Sequence, residues 1–499
     1  MKLNILFGGK AGQGINIVSH ILAKILVKQG IYIFQSRDYE SLIRGGHNFN
    51  ILTLSDKPVN SNESKIDILV SIDTKTIELH KDELKQDSII LQEDKGNMYF
   101  AGQLTKLLDL DFNLLKEELQ KLRNFEENLE QATQGYNSKE TKFNLPVKQS
   151  HLSILNGNQA AAQGAINSKL NLYFAYPMTP ATGLMNELAS HQSNNLTVFQ
   201  SENEIAAINS ALGASFTGAR AMTGSSGGGF DLMTEALSLQ GQTEIPLVVY
   251  LASRPGPSTG VPTYTSQADL NVALYAGHGE FPRIVTAPGD PKETIEKTNE
   301  AFYLSEKFKT LAIILTDKHL AESEYTLSEK PNQPIQIQTQ RALPGNQIVK
   351  ASSYEHDEQS LTTESPELTI RNAEARIKKQ KQIQDEIENL QSIKIHNNQE
   401  SENLIIGWGS TKGAILDAIQ DFNVKFLQIL YINPLSKKVK EEMQKAKKII
   451  LIENNSTALL ADWLTQKTGI EIKNKILKYD GRPFLSDELK TKIQENLND

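Results

Sequence analysis

The chain has no cysteine. It therefore has no disulfide, no thiolate zinc site and no all-cysteine iron–sulfur cluster of its own. Any iron–sulfur electron transfer has to involve another chain. It also lacks an apolar run approaching the length of a membrane-spanning helix, so no membrane span is expected. The apolar run within Met1–Gly8 is too short for a signal peptide and reads as a first strand, which leaves the cytoplasm as the default expectation. Positive charge is not in excess: Lys plus Arg is 52 against 60 for Asp plus Glu, a net charge of −8. That argues against a broad nucleic-acid surface. What remains is ordinary globular composition, 39% apolar with 31 glycines in 499 residues, and a length that suggests about three domains at roughly 150 residues each.

Three blocks follow along the chain, with expected bounds of 1–145, 150–330 and 401–499 and a connection over 331–400. In the first, a buried-strand run at residues 3–7 leads into the glycine turn Gly8–Gly14, then a helix over 15–28 and a strand over 31–34. This is a βαβ pattern. Further strands are expected at 66–72 and 88–91, then a charged helical stretch at 107–134 and a linker at 137–146. The second block has strands at 171–175, 197–200, 220–223, 247–252 and 311–315. Four of them run into loops rich in Gly, Pro, Ser and Thr. Ligand sites of open α/β sheets lie outside the carboxyl ends of strands, so the chemistry is expected there. A helix is expected from Glu202 to Phe216 and another over 230–240. The connection is Gln-, Glu- and Lys-rich, with a solvated helix at 369–390. The third block opens on the strand 404–408 and continues with strands at 425–429 and 448–453.

Each candidate motif has two readings when taken alone. The turn Gly8–Gly14 invites a dinucleotide fingerprint, but the position of the third glycine holds Ile17 and the acid falls late, at Asp38 behind Arg37. It fails as a fingerprint and stays open as an anion site or as a tight strand-to-helix turn. Glu202 is a candidate acid after a strand, or simply an acid well placed in a first helical turn, as Glu204 would also be. Arg254, before Pro255-Gly256-Pro257, can bind a carboxylate through two parallel bonds or be a surface arginine on a stiffened loop. Thr179 offers a hydroxyl and an amide on the same rim. Residues 225–229 are a second anion-ready turn. The Gly-Asp-Gly signature of thiamine diphosphate enzymes is absent, since Gly289-Asp290 precedes Pro291 and Asp480-Gly481 follows Tyr479.

Taken in order, the motifs resemble a known family. Tyr176-Pro-Met-Thr-Pro180, Ser201-Glu-Asn-Glu-Ile-Ala206, Met222-Thr-Gly-Ser-Ser-Gly-Gly-Gly-Phe230, Arg254-Pro-Gly-Pro-Ser-Thr-Gly260, Gln267-Ala-Asp-Leu270 and Gly277-His-Gly-Glu-Phe-Pro-Arg283 resemble the alpha subunit of 2-oxoacid:ferredoxin oxidoreductases. The first block, with Arg44-Gly-Gly-His-Asn48, is similar to that family's gamma domain, fused ahead of the alpha part. Leu343-Pro-Gly345 and Glu355-His-Asp-Glu358 in the connection are also family-like. Gly407-Trp-Gly-Ser-Thr411, Glu453-Asn-Asn455 and Lys478-Tyr-Asp-Gly-Arg-Pro-Phe484 resemble its second alpha domain.

The resemblance implies a multidomain α/β fold: a gamma-type domain, a pyrimidine-type thiamine diphosphate domain and a transketolase-C-like domain. It implies oxidative decarboxylation of a 2-oxoacid, 2-oxoglutarate, pyruvate or a related acid, to acyl-coenzyme A and carbon dioxide, with electrons passed to ferredoxin. Thiamine diphosphate would be shared with a beta subunit that carries the diphosphate and magnesium site and a 4Fe–4S cluster. In this chain the resemblance places the acid that meets the aminopyrimidine at Glu202, substrate carboxylate contacts at Thr179 and Arg254, and cofactor contacts at Tyr176, Pro177, Ser226, Gly227 and Gly228. No metal ligand and no nucleic-acid partner are expected within the chain. The chain departs from the family at Tyr264-Thr-Ser-Gln267, where a basic residue is usual, and at Ala458-Leu459. Two other classes stay open: a non-catalytic scaffold or regulatory subunit, and a coenzyme A- or nucleotide-binding protein using the first glycine turn.

Overall fold

The computed structural model describes residues 1–40, 46–146, 151–338, 341–345 and 349–498. Arg44 and Gly45 of the gamma-like motif lie outside the described residues. Three sheets organise the chain.

The first sheet is mixed. Lys2–Lys10 pairs parallel with Ile66–Ser71 and antiparallel with His47–Ser55, which in turn pairs antiparallel with Tyr32–Tyr39. The two strands of the expected βαβ unit are thus parallel but not neighbours. His47–Ser55, which the sequence reading passed over, is inserted between them. The glycine turn joins Lys2–Lys10 to the helix Ile15–Lys28, whose N-cap Gly14 sits at φ 82°. A Cβ on Gly14 would come within 2.0 Å of the Asn97 amide. Close packing and the left-handed backbone therefore account for that glycine by themselves. The helical stretch that follows is three helices, Asn97–Leu107, Phe112–Leu119 and Phe125–Asn137. Two distant strands complete this sheet: Glu324–Leu327 pairs with Tyr32–Tyr39 on one side and Ser153–Leu155 on the other.

The second sheet runs in the order Tyr431–Asn433, Arg283–Thr286, Leu311–Asp317, Leu247–Ser253, Ala221–Ser225, Leu172–Ala175, Thr197–Gln200. All the strands are parallel except the first, which arrives from the third block. Leu247–Ser253 is buried along its whole length, as a central parallel strand covered on both faces must be. Leu247, Val249 and Leu251 face one apolar cluster, and Val248, Tyr250 and Ala252 face another. The first of these clusters also takes in Trp408, Ile432 and Trp463, so the second and third blocks share a core. After Leu172–Ala175 the chain steps outward to Thr197–Gln200, then returns to the opposite side at Ala221–Ser225. That reversal opens a crevice at the carboxyl ends of the neighbouring strands Leu172–Ala175 and Ala221–Ser225.

The third sheet is Ile393–Asn397, Lys425–Ile429, Asn403–Trp408, Lys448–Glu453 and Asn474–Leu477, with only the first strand antiparallel. It is tied to the second block through a buried ionic junction. Glu293, near the start of the helix Pro291–Phe308, is fully buried. It accepts from Lys412 at 2.6 Å, Lys394 at 2.7 Å, Gln428 at 2.7 Å and the Gly289 amide at 2.8 Å. Lys412 also pairs with Asp290. The two lysines outweigh the cost of burial and hold the Glu293 carboxyl well below the usual range.

A carboxyl depressed on folding contributes stability above its unfolded value of about 4.5 and loses it as the pH falls toward the folded value. Glu293→Gln leaves the buried Lys412 and the half-buried Lys394 short of a counter-charge and should cost about 3–5 kcal/mol. Urea unfolding should show that loss near neutrality and a shallower fall in stability below about pH 4.5. Equal midpoints for the two proteins at pH 7 would contradict the assigned role.

Candidate active site

The loops at the crevice are built by neighbouring strand ends. The Ser201 amide donates to the Ala175 carbonyl at 2.9 Å, which brings the exit of Thr197–Gln200 against that of Leu172–Ala175. The loop Tyr176–Pro180 is held from beneath: the Tyr250 hydroxyl donates to Asn158 at 3.0 Å, and the Asn158 amide donates to the Pro180 carbonyl at 3.2 Å.

The helix expected from Glu202 begins instead at Glu204. Asn203 is its N-cap and accepts from the Ala206 amide at 2.8 Å. Competition for the cap explains the shift, because an asparagine directly before a helical run satisfies an orphan amide. Glu202 is therefore outside the helix and exposed. Glu204 is 3% exposed, and its Oε1 has no hydrogen-bond partner among the described residues.

The helix expected from Phe230 also begins earlier, at Gly227, so the glycine turn is itself the first turn of the short helix Gly227–Leu232. Its glycines make room for carboxylates. A Cβ on Gly229 would lie 2.5 Å from Glu204 Oε1 and 2.1 Å from Ser225 Oγ. A Cβ on Gly227 would lie 2.7 Å from Asp269 Oδ2, whereas one on Gly228 would meet open space. Ser226 is fully buried at the N-cap, and its hydroxyl caps nothing. The Ser226 and Ser201 hydroxyls are buried without partners, as is Glu204 Oε1. Buried polar atoms are satisfied in folded proteins as a rule. Orphans of this kind at strand ends around a switch point are the mark of a surface prepared for a polar ligand.

Thr179 and Arg254 meet. Arg254 follows the strand Leu247–Ser253 and donates through Nη1 to the Thr179 carbonyl at 2.9 Å. Its half-burial lowers the guanidinium's pKa, and the nearby Asp269 carboxylate opposes that effect. Tyr176 is 40% exposed at the outer end of its loop, with Pro177 half-buried beside it.

Two residues of the site were not assigned a role from sequence. Asp269 is pushed up to about 6, first by burial; the Ser253 hydroxyl pulls it back, exposed Asp231 adds to the rise and Arg254 lowers it. Gln267 is buried, and all four of its polar groups are used by the third block. Its amide donates to the Asn454 carbonyl at 2.7 Å and its Nε2 to the Trp408 carbonyl at 2.8 Å. Its Oε1 accepts from the Asn454 amide at 2.8 Å and its carbonyl from Asn455 at 3.1 Å. The departure at Tyr264 is filled from the same block, since the Arg482 guanidinium lies 3.6 Å over that ring. A helical period running through Glu204, Ala207, Ile208 and Ala211 was the available signal for Glu204, because those positions share the buried face.

Comparison with known proteins agrees with this architecture. Residues 4–113 match the family model for pyruvate ferredoxin/flavodoxin oxidoreductase, and residues 163–392 match that for pyruvate flavodoxin/ferredoxin oxidoreductase, thiamine diphosphate-binding. A 2-oxoacid:ferredoxin oxidoreductase subunit alpha from Sulfolobus is 31% identical, covering 100% of this chain and 98% of the relative. The 2-oxoglutarate oxidoreductase subunit KorA of Mycobacterium tuberculosis is 32% identical over 63% of this chain and 52% of its own length. The solved 2-oxoglutarate:ferredoxin oxidoreductase of Magnetococcus marinus, with 2-oxoglutarate, coenzyme A and succinyl-coenzyme A bound, superposes with a TM-score of 0.90 at 26% identity, over 99% of both chains. With full-length identity to the Sulfolobus subunit and the multidomain α/β fold in agreement, the chain belongs to the 2-oxoacid:ferredoxin oxidoreductase alpha subunits.

Proposed function

We propose that this chain is the substrate- and pyrimidine-binding part of a 2-oxoacid:ferredoxin oxidoreductase that converts 2-oxoglutarate or a related oxoacid to its acyl-coenzyme A. The observation that carries the reading is the buried carboxyl of Glu204, whose Oε1 has no partner among the described residues, lying against the side-chain-free backbone of Gly229. The acid role expected of Glu202 passes to Glu204 in this proposal, because Glu204 is buried against the glycine turn whereas Glu202 is exposed. Thiamine diphosphate, when bound, supplies the carbon acid that adds to the ketone and carries the decarboxylation.

This chain's own residues then have separable tasks. Glu204 Oε1 holds or moves a proton at the ring nitrogen N1′. Ser226, Gly227 and Gly228 line the approach, with Tyr176 and Pro177 closing the opposite rim. Arg254 takes the substrate carboxylate, and Thr179 fixes the guanidinium through its carbonyl. Magnesium and the diphosphate site are assigned to a beta subunit because the chain lacks the Gly-Asp-Gly signature, and the 4Fe–4S cluster because it has no cysteine. Electrons leave through that subunit to ferredoxin, and coenzyme A takes the acyl group.

Glu204→Gln should reduce turnover of the assembled enzyme by about 10²–10⁴, the usual worth of a positioned proton-transfer group. Isotope exchange at the thiazolium carbon of bound cofactor should slow in parallel, while Glu202→Gln leaves exchange near wild type. Slow exchange in Glu202→Gln with normal exchange in Glu204→Gln would return the role to Glu202. Arg254→Ala should raise KM for the oxoacid by tenfold or more, since a charge-assisted bond is worth about 1.5–3 kcal/mol. An unchanged KM in initial-rate assays would remove Arg254 from the substrate site. The purified chain alone should be colourless and should not reduce viologen dyes with any oxoacid; oxoacid-dependent reduction by partner-free protein would contradict the division of labour.

A further inference from the structure

Asp269 occupies the N-cap position of the helix Leu270–Tyr275, yet its side chain makes no capping bond. Aspartate at this position ordinarily accepts from an amide of the first turn, which contributes about 0.5–2 kcal/mol. Here the carboxylate is turned the other way, toward the Gly227 backbone, where a Cβ would lie 2.7 Å from Oδ2 and 2.8 Å from Oδ1. Ser253 and Arg254 stand beside it at the end of the central strand. The charged groups facing it are Arg254, from the strand end, and Asp231, from the helix Gly227–Leu232; Glu204 lies farther along the same glycine turn, against Gly229. The backbone that carries Asp269 is fixed two residues earlier, where Gln267 is bonded on every side to Trp408, Asn454 and Asn455. A buried acid thus gives up its cap on a rigidly held segment, within reach of the Arg254 charge but in no ion pair with it.

We propose that Asp269 sets the affinity of the oxoacid site: its carboxylate lies in the field of the Arg254 guanidinium, repels the incoming substrate carboxylate and opposes binding unless it carries a proton. This rests on the assignment of Arg254 to the substrate carboxylate. Among the described residues Arg254 bonds the Thr179 carbonyl and makes no ion pair, with the Asp269 charge near enough to act on it through space. An arriving oxoacid brings a second carboxylate to the same cation. Two carboxylates that share a site do not both stay ionised at little cost, so one takes up a proton more readily. The oxoacid, a stronger acid, stays ionised and Asp269 takes the proton. Oxoacid binding is therefore favoured at low pH and weakens as the pH rises through the range where Asp269 ionises, with Asp269 as the titrating group at about 6.

The test is the pH dependence of KM for 2-oxoglutarate in the assembled enzyme, with a viologen dye as acceptor, for wild type, Asp269→Asn, Arg254→Ala and the double variant. Wild-type KM should rise by about tenfold between roughly pH 5.5 and 7.5, one unit of coupling being tenfold in the equilibrium. Asp269→Asn should keep the low KM across the range and so bind the oxoacid more tightly than wild type near neutrality. A gain in affinity is something damaged folding does not produce. In the Arg254→Ala background the same substitution should move KM less than twofold, because the Arg254 cation is gone. A higher KM in Asp269→Asn, an unaltered pH profile, or an effect that persists in the Arg254→Ala background would overturn the proposal. If Arg254→Ala alone leaves KM unchanged, the Arg254 assignment fails instead.

Discussion

The Glu204 carboxyl is buried with one oxygen unpartnered, and the second block is arranged around it. Leaving a buried polar atom unsatisfied costs about 1–3 kcal/mol, and more when the group is charged. The fold bears that cost in three ways. Glu204 opens its helix, where the aligned peptide dipoles favour an acid. Ala207, Ile208 and Ala211 anchor the helix on the sheet, so the side chain cannot swing out to water. Glycine at 229 lets the neighbouring turn close over it without collision. The same economy recurs at Gly227, where the absence of a Cβ admits Asp269. Two acids are thereby kept apart, one on each side of a helix turn built of glycine.

Position at the crevice is set from the third block as well as from the second. Gln267 and the Glu293 cluster are two of the places where that block grips its neighbour, one by neutral hydrogen bonds and one by buried charge. Gln267 joins the loop that begins at Arg254 to the strand ends of Asn403–Trp408 and Lys448–Glu453. Near the far end of Lys448–Glu453, Glu453 is fully buried and pushed up to about 7 by burial, with the Asn455 amide, the Leu460 amide and the Trp408 indole donating to it. The loop that begins at Arg254 therefore rests on a polar junction whose members are buried and mutually satisfied, which is what gives such networks their rigidity.

Strong local signals made much of this readable in the sequence. Buried parallel strands such as Leu247–Ser253 are continuous apolar runs, and the glycine- and proline-rich loops after them mark strand ends facing a ligand. Their motifs set Thr179 and Arg254 on one rim, and the Arg254 guanidinium donates to the Thr179 carbonyl, a contact the sequence did not announce. Contributions from distant segments were not readable. Glu324–Leu327 in the first sheet and Tyr431–Asn433 in the second are short strands whose place is set by partners far away in sequence. Helix starts slipped at Glu202 and Phe230 for local reasons: an asparagine took the cap in one case, and in the other a run of glycines, poor in helix propensity, was held helical by tertiary packing. Asp269 was quoted within a motif but given no role, since burial and a turned-away cap exist only in three dimensions.

The assembled enzyme with thiamine diphosphate bound, solved at a resolution that separates side-chain contacts, tests the central claim most directly. The account predicts a Glu204 carboxyl oxygen within hydrogen-bonding distance of N1′, with Ser226 at the ring's edge and Glu202 making no contact with the cofactor. A ring that bonds Glu202, with Glu204 still buried and unpartnered behind Gly229, would contradict it.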